Sequence, residues 1–281
     1  MEILLESIGN IAFTEPERAI ANVLKATLQY PVNTEAKASK LADDIEFFCK
    51  CLQSDIHFDE MLWEVWRVVL ELVSYVPPDH QWQESLVQSL VDLRQRNYSN
   101  SKHDELRFLK DLSNLSFCVR EYWNDPTDVN PALWTGETDK ELLEEFFKWK
   151  NLNSFVARVT STGFAPWLNL PIWQLRVALE EPPLKGPLLE CQLWVASEWI
   201  IYCADLIFED VNSKEELNEA MARVLRRGSL CADKPPLGIE RWEFWKKRFS
   251  DLSADADSLG LNSTLSERMT EALKKMESVE K

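Results

Sequence analysis

The chain has few of the residue types on which catalytic motifs are built. Its three histidines, His57, His80 and His103, lie apart from one another and from the cysteines. Neither a Ser-His-Asp nor a Cys-His arrangement is therefore expected, and a zinc site is not expected either. Glycine occurs seven times in 281 residues, and Gly136, Gly163, Gly186, Gly228 and Gly238 fall between helical stretches. P-loop, GxGxxG, HExxH and GxSxG motifs are missing, and no Asn-Gly or Asp-Gly pair marks a tight hairpin. Basic side chains are the minority, 31 against 47 acidic ones, for a net charge of −16. That balance excludes a broad phosphate-binding surface for nucleic acid and adsorption to an anionic membrane surface; it favours solubility. The six cysteines (Cys49, Cys51, Cys118, Cys191, Cys203 and Cys231) show no CxxC spacing and lie mostly on apolar helix faces. They read as reduced, buried small residues of a cytoplasmic protein. The opening MEILLESIGNIAF has no basic segment before a long apolar one, so no signal peptide is expected. The longest apolar run, residues 188–208, contains Glu190, Glu198 and Asp205 and reads as a buried helix, not a membrane span.

What the chain does have is helical periodicity. Residues 14–30 open with Thr14, Pro16 and Glu17, a capping box with proline in the first turn. Further helices are expected over 33–54, 59–76, 83–97, 106–122 and from 138 to about 160. In the second of these Leu62, Trp66, Val69, Leu70 and Val73 form one apolar stripe, ended by Pro77-Pro78. Capping boxes are also read at Thr138–Glu141, at 213–216 and at 264–267. No strand pattern and no internal repeat is found. The expected fold is all-α, a single large helical domain of about ten to twelve helices. The polar stretch near residues 99–104 is a candidate division between an N-terminal helical region, 1–100, and a helical core, 104–281.

Residues 146–245 hold seven of the chain's 12 tryptophans. Within them, LECQLWVASEWIIYCADLIFED is apolar nearly all round, so it should be a central helix. Trp194, Glu198, Tyr202, Asp205 and Glu209 still share one face. That stripe is either a solvated edge or the wall of a cavity in which Asp205, Glu209 and Asp210 hold a divalent metal through carboxylate oxygens. Arg176 and Glu180, at i and i+4, read as a surface ion pair, as a buried pair anchoring the fold, or with Arg176 aimed at a phosphate or carboxylate. Arg158 in FVARVT has the same alternatives. In RWEFWKKRF, Trp242 and Lys246 are one turn apart. This is either a lysine lying over a core tryptophan or a cation-stabilising wall with an amine able to move a proton.

The patterns NSFVAR, W-x-L-R-x-ALE, AxEWI-x-Y and W-x-x-W-K-x-R-F, spread over about residues 139–249, resemble a fungal family of helical proteins of unknown function, the DUF3632-type domain. The resemblance implies a helical, cytoplasmic protein, some of whose relatives are encoded near natural-product pathways. A second resemblance is to non-canonical fungal sesquiterpene cyclases. It implies a Mg²⁺-dependent lyase of secondary metabolism that ionises farnesyl diphosphate in an aromatic-lined pocket. The implied roles are Lys246 and Tyr202 in catalysis, Arg158, Arg176, Trp173, Trp199, Trp242 and Trp245 around the substrate, and Asp205, Glu209 and Asp210 on the metal. The chain departs from ordinary cyclases at both metal motifs: DDIEF at 43–47 ends in Phe47, and EDVNSKEEL at 209–217 has Leu217 where a glutamate belongs. The opposing expectation is a non-catalytic helical binding or scaffold protein whose tryptophans are core. Expected partners are a small apolar or prenyl-diphosphate ligand and, as a further option, a second copy of the chain in a homodimer. No nucleic acid and no membrane span is expected.

Overall fold

The computed structural model describes residues 11–50, 58–98, 106–128, 140–164, 167–213 and 217–280. Among them are thirteen α-helices and no strand, so the fold is all-α as expected. The helices are α1 Glu15–Gln29, α2 Thr34–Lys50, α3 Phe58–Ser74, α4 Gln81–Gln95, α5 Arg107–Lys110, α6 Leu115–Glu121 and α7 Lys140–Ser161. There follow α8 Asn169–Leu175, α9 Pro187–Val211, α10 Glu219–Val224, α11 Ile239–Ala254, α12 Ala256–Leu259 and α13 Ser263–Ser278. Residues Arg176–Glu180 continue α8 as a π-helical turn. The chain divides into two units, one of Met1–Asp125 with Phe147–Phe155, the other of Pro126–Phe146 with Val156–Lys281.

In the first unit α2 packs along α4, α1 along α3, and α3 against α6. Thr14 caps α1 as its sequence requires: its hydroxyl accepts from the Glu17 amide at 3.3 Å and the Glu17 carboxylate accepts from the Thr14 amide at 2.8 Å. The other Glu17 oxygen meets Arg67 at 2.8 Å. At the far end of α1, Lys37 reaches back from α2 and donates to the Leu28 and Tyr30 carbonyls at 2.5 and 2.6 Å. It thus covers acceptors that a helix C-terminus leaves unpaired. Burial lowers the Lys37 pKa. The stripe Leu62, Trp66, Val69, Leu70 and Val73 is wholly buried.

The helix expected over 106–122 is in fact two. Leu112 and Asn114 take positive φ, 43° and 67°, and the chain turns between α5 and α6. The turn exposes the Ser113 carbonyl to the Trp66 indole N–H, which donates to it at 2.7 Å, while Leu109, Leu112 and Leu115 are buried. A tertiary bond and three leucines outweigh local helical propensity there. This break, with the short α12, accounts for the helix number exceeding the expected range.

In the second unit α9 is central and packs against α8, α11 and α13. It starts at Pro187, in the first turn where proline is tolerated, and kinks at Cys203 (φ −127°, ψ 17°). The Cys203 thiol donates to the Ala157 carbonyl on α7 at 3.2 Å. By length and composition α9 could cross a membrane, but 67% of its most apolar window is buried inside the protein, as a core helix would be. The capping box read at 264–267 is not the start of α13. Asn262 caps it, accepting from the Leu265 amide at 2.9 Å, and Thr264 lies inside the first turn. The boxes read at 138–141 and 213–216 fall on or across residues outside those described.

Candidate functional site

The most constrained polar group of the second unit is Glu180, at the end of the π turn. Its carboxylate is fully buried. One oxygen accepts from Arg241 Nε at 2.6 Å and from the Trp245 indole at 2.7 Å; the other accepts from the Gly228 amide at 2.7 Å and from Arg241 Nη2 at 3.2 Å. Arg241, also 0% exposed, donates further to the carbonyls of Leu225 (2.9 Å), Pro236 (2.7 Å) and Arg226 (3.3 Å). Two opposite charges removed from water are tolerable when geometry is bidentate and the remaining donors and acceptors find partners, and here they do. Gly228 is required by space: a Cβ there would lie 2.5 Å from the Glu180 carbonyl oxygen.

The sequence left open a buried, fold-anchoring role for Glu180, but its partner is Arg241, not Arg176. In an α-helix positions i and i+4 adjoin. The π turn, bonded i to i+5, carries Glu180 off the line of Arg176. Arg176 is half-buried and donates to the Arg226 carbonyl at 3.4 Å. Trp173, one turn earlier and also half-buried, donates its indole N–H to the Val224 carbonyl at 3.0 Å.

Of the other tryptophans expected around a substrate, Trp199, Trp242 and Trp245 have no exposed surface. Trp242 packs edge-on against Phe208 and Trp245, at 5.2 and 6.3 Å between ring centres. Its indole donates to Glu280 at 2.8 Å. Lys246 bonds the same carboxylate at 2.7 and 2.8 Å and Glu243 at 2.9 Å. Burial works against the Lys246 ammonium, yet Glu280 and Glu243 hold its pKa above the ordinary value. Arg158 lies over the Tyr202 ring, 4.9 Å from its centre.

The polar stripe of α9 divides along its length. Glu198 is wholly buried and pairs with Arg268 of α13, whose guanidinium lies 4.3 Å from the Trp194 ring centre. Asp205 and Glu209 are exposed and Asp210 half-exposed. Among the described residues no group of three or more His, Cys, Asp or Glu side chains is placed to hold a metal ion. The thiols of Cys49, Cys118 and Cys203 are pushed up to about 12, and that of Cys231 to about 11, chiefly by burial. They stay protonated and are poor nucleophiles and ligands.

Sequence reasoning missed Arg241, Gly228, Glu280 and Arg268. Arg241 stands two residues from a glutamate and next to a tryptophan in RWEFW, where it reads as one more charge of a solvated helix. Only the tertiary fold brings it to Glu180, 61 positions away. In the first unit a groove of about 520 Å³ lies along α1 and α2, lined by Val23, Ala26, Thr27, Tyr30, Val32, Ala36 and Lys40.

No curated protein and no solved structure matches the chain. A family model described as a protein of unknown function (DUF3632) matches residues 66–249. That span begins well before residue 139, where the sequence resemblance starts, and includes both Trp66 and the Glu180–Arg241 pair. The chain belongs to the DUF3632 family.

Proposed function

We propose that the chain is a non-catalytic helical binding module whose aromatic-rich second unit is a scaffold. The observation that carries this reading is the engagement of the groups a reaction pocket would need. Trp199, Trp242 and Trp245 are fully buried, the Trp242 and Trp245 indoles are bonded to Glu280 and Glu180, and the Lys246 ammonium is held between two carboxylates. A carbocation needs aromatic faces open to a cavity; rings packed against one another serve a core. The α1–α2 groove, of a volume typical of small-molecule sites, supports an apolar ligand.

The competing reading is the Mg²⁺-dependent prenyl-diphosphate cyclase of fungal secondary metabolism. Trp173, Arg158, Arg176 and Tyr202 are partly exposed and so remain open to such a substrate. The test is product analysis by gas chromatography–mass spectrometry after incubation with farnesyl diphosphate and Mg²⁺. The module reading expects no hydrocarbon; a product that disappears with a chelator overturns it. Sedimentation of the same preparation tests the homodimer, and fractionation of cells the cytoplasmic placement.

A further inference from the structure

We propose that Ser229 is a phosphorylation site for an arginine-directed serine kinase, and that its phosphate frees the surrounding loop from the end of the π turn. The loop reads Arg226-Arg227-Gly228-Ser229-Leu230 and holds the chain's one Arg-Arg pair. Arg226, Arg227, Ser229 and Leu230 are exposed. An acidic kinase groove can thus meet two guanidiniums, three and two residues before the hydroxyl, and an apolar side chain directly after it. Leu230 is 41% exposed although apolar, so a pocket that takes it buries surface now facing water. The backbone suits the same partner. Residues 226–228 lie outside any helix, Gly228 is extended (φ −79°, ψ 173°), and Ser229 begins a 3₁₀ turn of three residues, which opens at little cost. Leu225 and Cys231, both buried, anchor the two ends. Lys247-Arg248-Phe249-Ser250 is a comparable basic run, but it lies within α11 and is followed by an acid, Asp251.

In the step itself the Ser229 Oγ bonds the γ-phosphorus of ATP as the bond to the bridging β–γ oxygen breaks. ADP leaves, and the hydroxyl proton passes to the kinase's catalytic aspartate. The consequence follows from what Ser229 touches. Two adjacent glutamates hold two adjacent loop residues. Glu180 accepts from the Gly228 amide at 2.7 Å; Glu181 accepts from the Ser229 amide at 3.2 Å and from the Ser229 hydroxyl at 2.7 Å. A phosphorylated Oγ cannot donate, and the phosphate brings a charge of about −1.5 to −2 at neutral pH. Facing the Glu181 carboxylate, it replaces a hydrogen bond by repulsion. Glu181 is driven off, and the Gly228 amide loses the neighbouring contact that keeps it against Glu180. Glu180 retains its bonds to Arg241 and Trp245, so the loop opens while the core stays closed. This inference goes beyond the binding-module reading and does not depend on it.

The probe is the catalytic subunit of cyclic-AMP-dependent protein kinase with Mg²⁺ and ATP, added to the folded full chain, with the modified residue located by mass spectrometry. Ser229→Ala, Arg226→Gln, Arg227→Gln and, as a control, Ser250→Ala are run beside the wild type, each checked for folding by circular dichroism. One phosphate on Ser229 is expected. Its rate of incorporation should fall about 10-fold or more in either arginine variant, vanish in Ser229→Ala and hold in Ser250→Ala. Amide hydrogen exchange of the phosphorylated chain should then be about 10-fold faster over residues 225–231 and unchanged in α9. No phosphate on Ser229 in the folded chain, phosphate there only after denaturation, or equal rates for the wild type and both arginine variants overturns the site. Unchanged exchange over 225–231 in the phosphorylated chain overturns the release of the loop.

Discussion

The two units satisfy buried polar groups in partly different ways. In the first unit the buried carboxylates Glu17 and Asp44 meet Arg67 and Lys40, while a buried cation and two buried amides are satisfied by the backbone. Lys37 bonds carbonyls at the end of α1, Gln83 donates to the Val76 and Asn151 carbonyls at 2.9 and 3.1 Å, and Asn151 donates to the Ser74 carbonyl at 2.6 Å. In the second unit carboxylates meet arginine or lysine with a tryptophan at hand: the buried Glu180 with Arg241 and Trp245, the buried Glu198 with Arg268 beside Trp194, and the partly exposed Glu280 with Lys246 and Trp242. A side chain bonded to carbonyls stops or joins helices locally. A carboxylate bonded to residues from several loops and helices fixes their mutual geometry, because the charge is costly in any other arrangement.

The contrast can be broken most forcefully at Glu180. Glu180→Gln leaves Arg241 buried without its counter-charge, and the expected loss is about 3–5 kcal/mol, read by urea denaturation. Gly228→Ala should be of similar severity, since its Cβ would overlap Glu180. A smaller loss, about 1–3 kcal/mol for unpaired buried acceptors, is expected for Lys37→Met, which removes the donor over the end of α1 while preserving much of the side chain's apolar volume. If Lys37→Met proved the costlier, the distinction between the units would fail.

pH offers a gentler probe. The His80 Nδ1 accepts from the Trp82 amide at 3.2 Å and caps α4, so the neutral ring is the useful form. Burial, aided by Lys37 and opposed by Asp79, lowers its pKa. The unfolded chain therefore takes up the proton first, and the contribution is present above the ordinary histidine value of 6.5 and lost as pH falls below it. His80→Ala should cost about 0.5–2 kcal/mol at neutral pH and flatten that part of the stability–pH curve. Glu280 behaves in the same sense at lower pH. Burial opposes its ionisation, but Lys246 and Trp242 hold its pKa below the usual value, so its contribution is lost as pH drops through the carboxylate range. For this partly exposed pair the effect is the smallest, about 0.2–1 kcal/mol, and Glu280→Gln should remove it.

How much of this was legible in the sequence follows from the range of the interactions. The α1 capping box and the α3 stripe depend on residues three or four apart and stand as read. So does α9 as a core helix, because its composition suffices. The break between α5 and α6 was hidden, since its cause is the Trp66 indole, 47 positions from Ser113. The π turn was hidden for a similar reason: RVALE is good α-helix sequence, and only the bonds from Gly228, Arg241 and Trp245 show why Glu180 must point inward. Aromatic clustering marked the stretch that holds Glu180, Arg241 and Trp245. Whether a tryptophan lines a cavity or fills a core depends on neighbours that periodicity does not name.

The central claim is that the Glu180–Arg241 pair is the structural keystone of an aromatic core and not the floor of a reaction site. A double-mutant cycle in urea denaturation, with Glu180→Gln, Arg241→Met and the double variant, tests it most directly. The account expects each single change to cost about 3–5 kcal/mol and the double to cost much less than their sum, because most of each loss is the stranded partner. Single variants within about 0.5 kcal/mol of the wild type, or strictly additive losses, would contradict it.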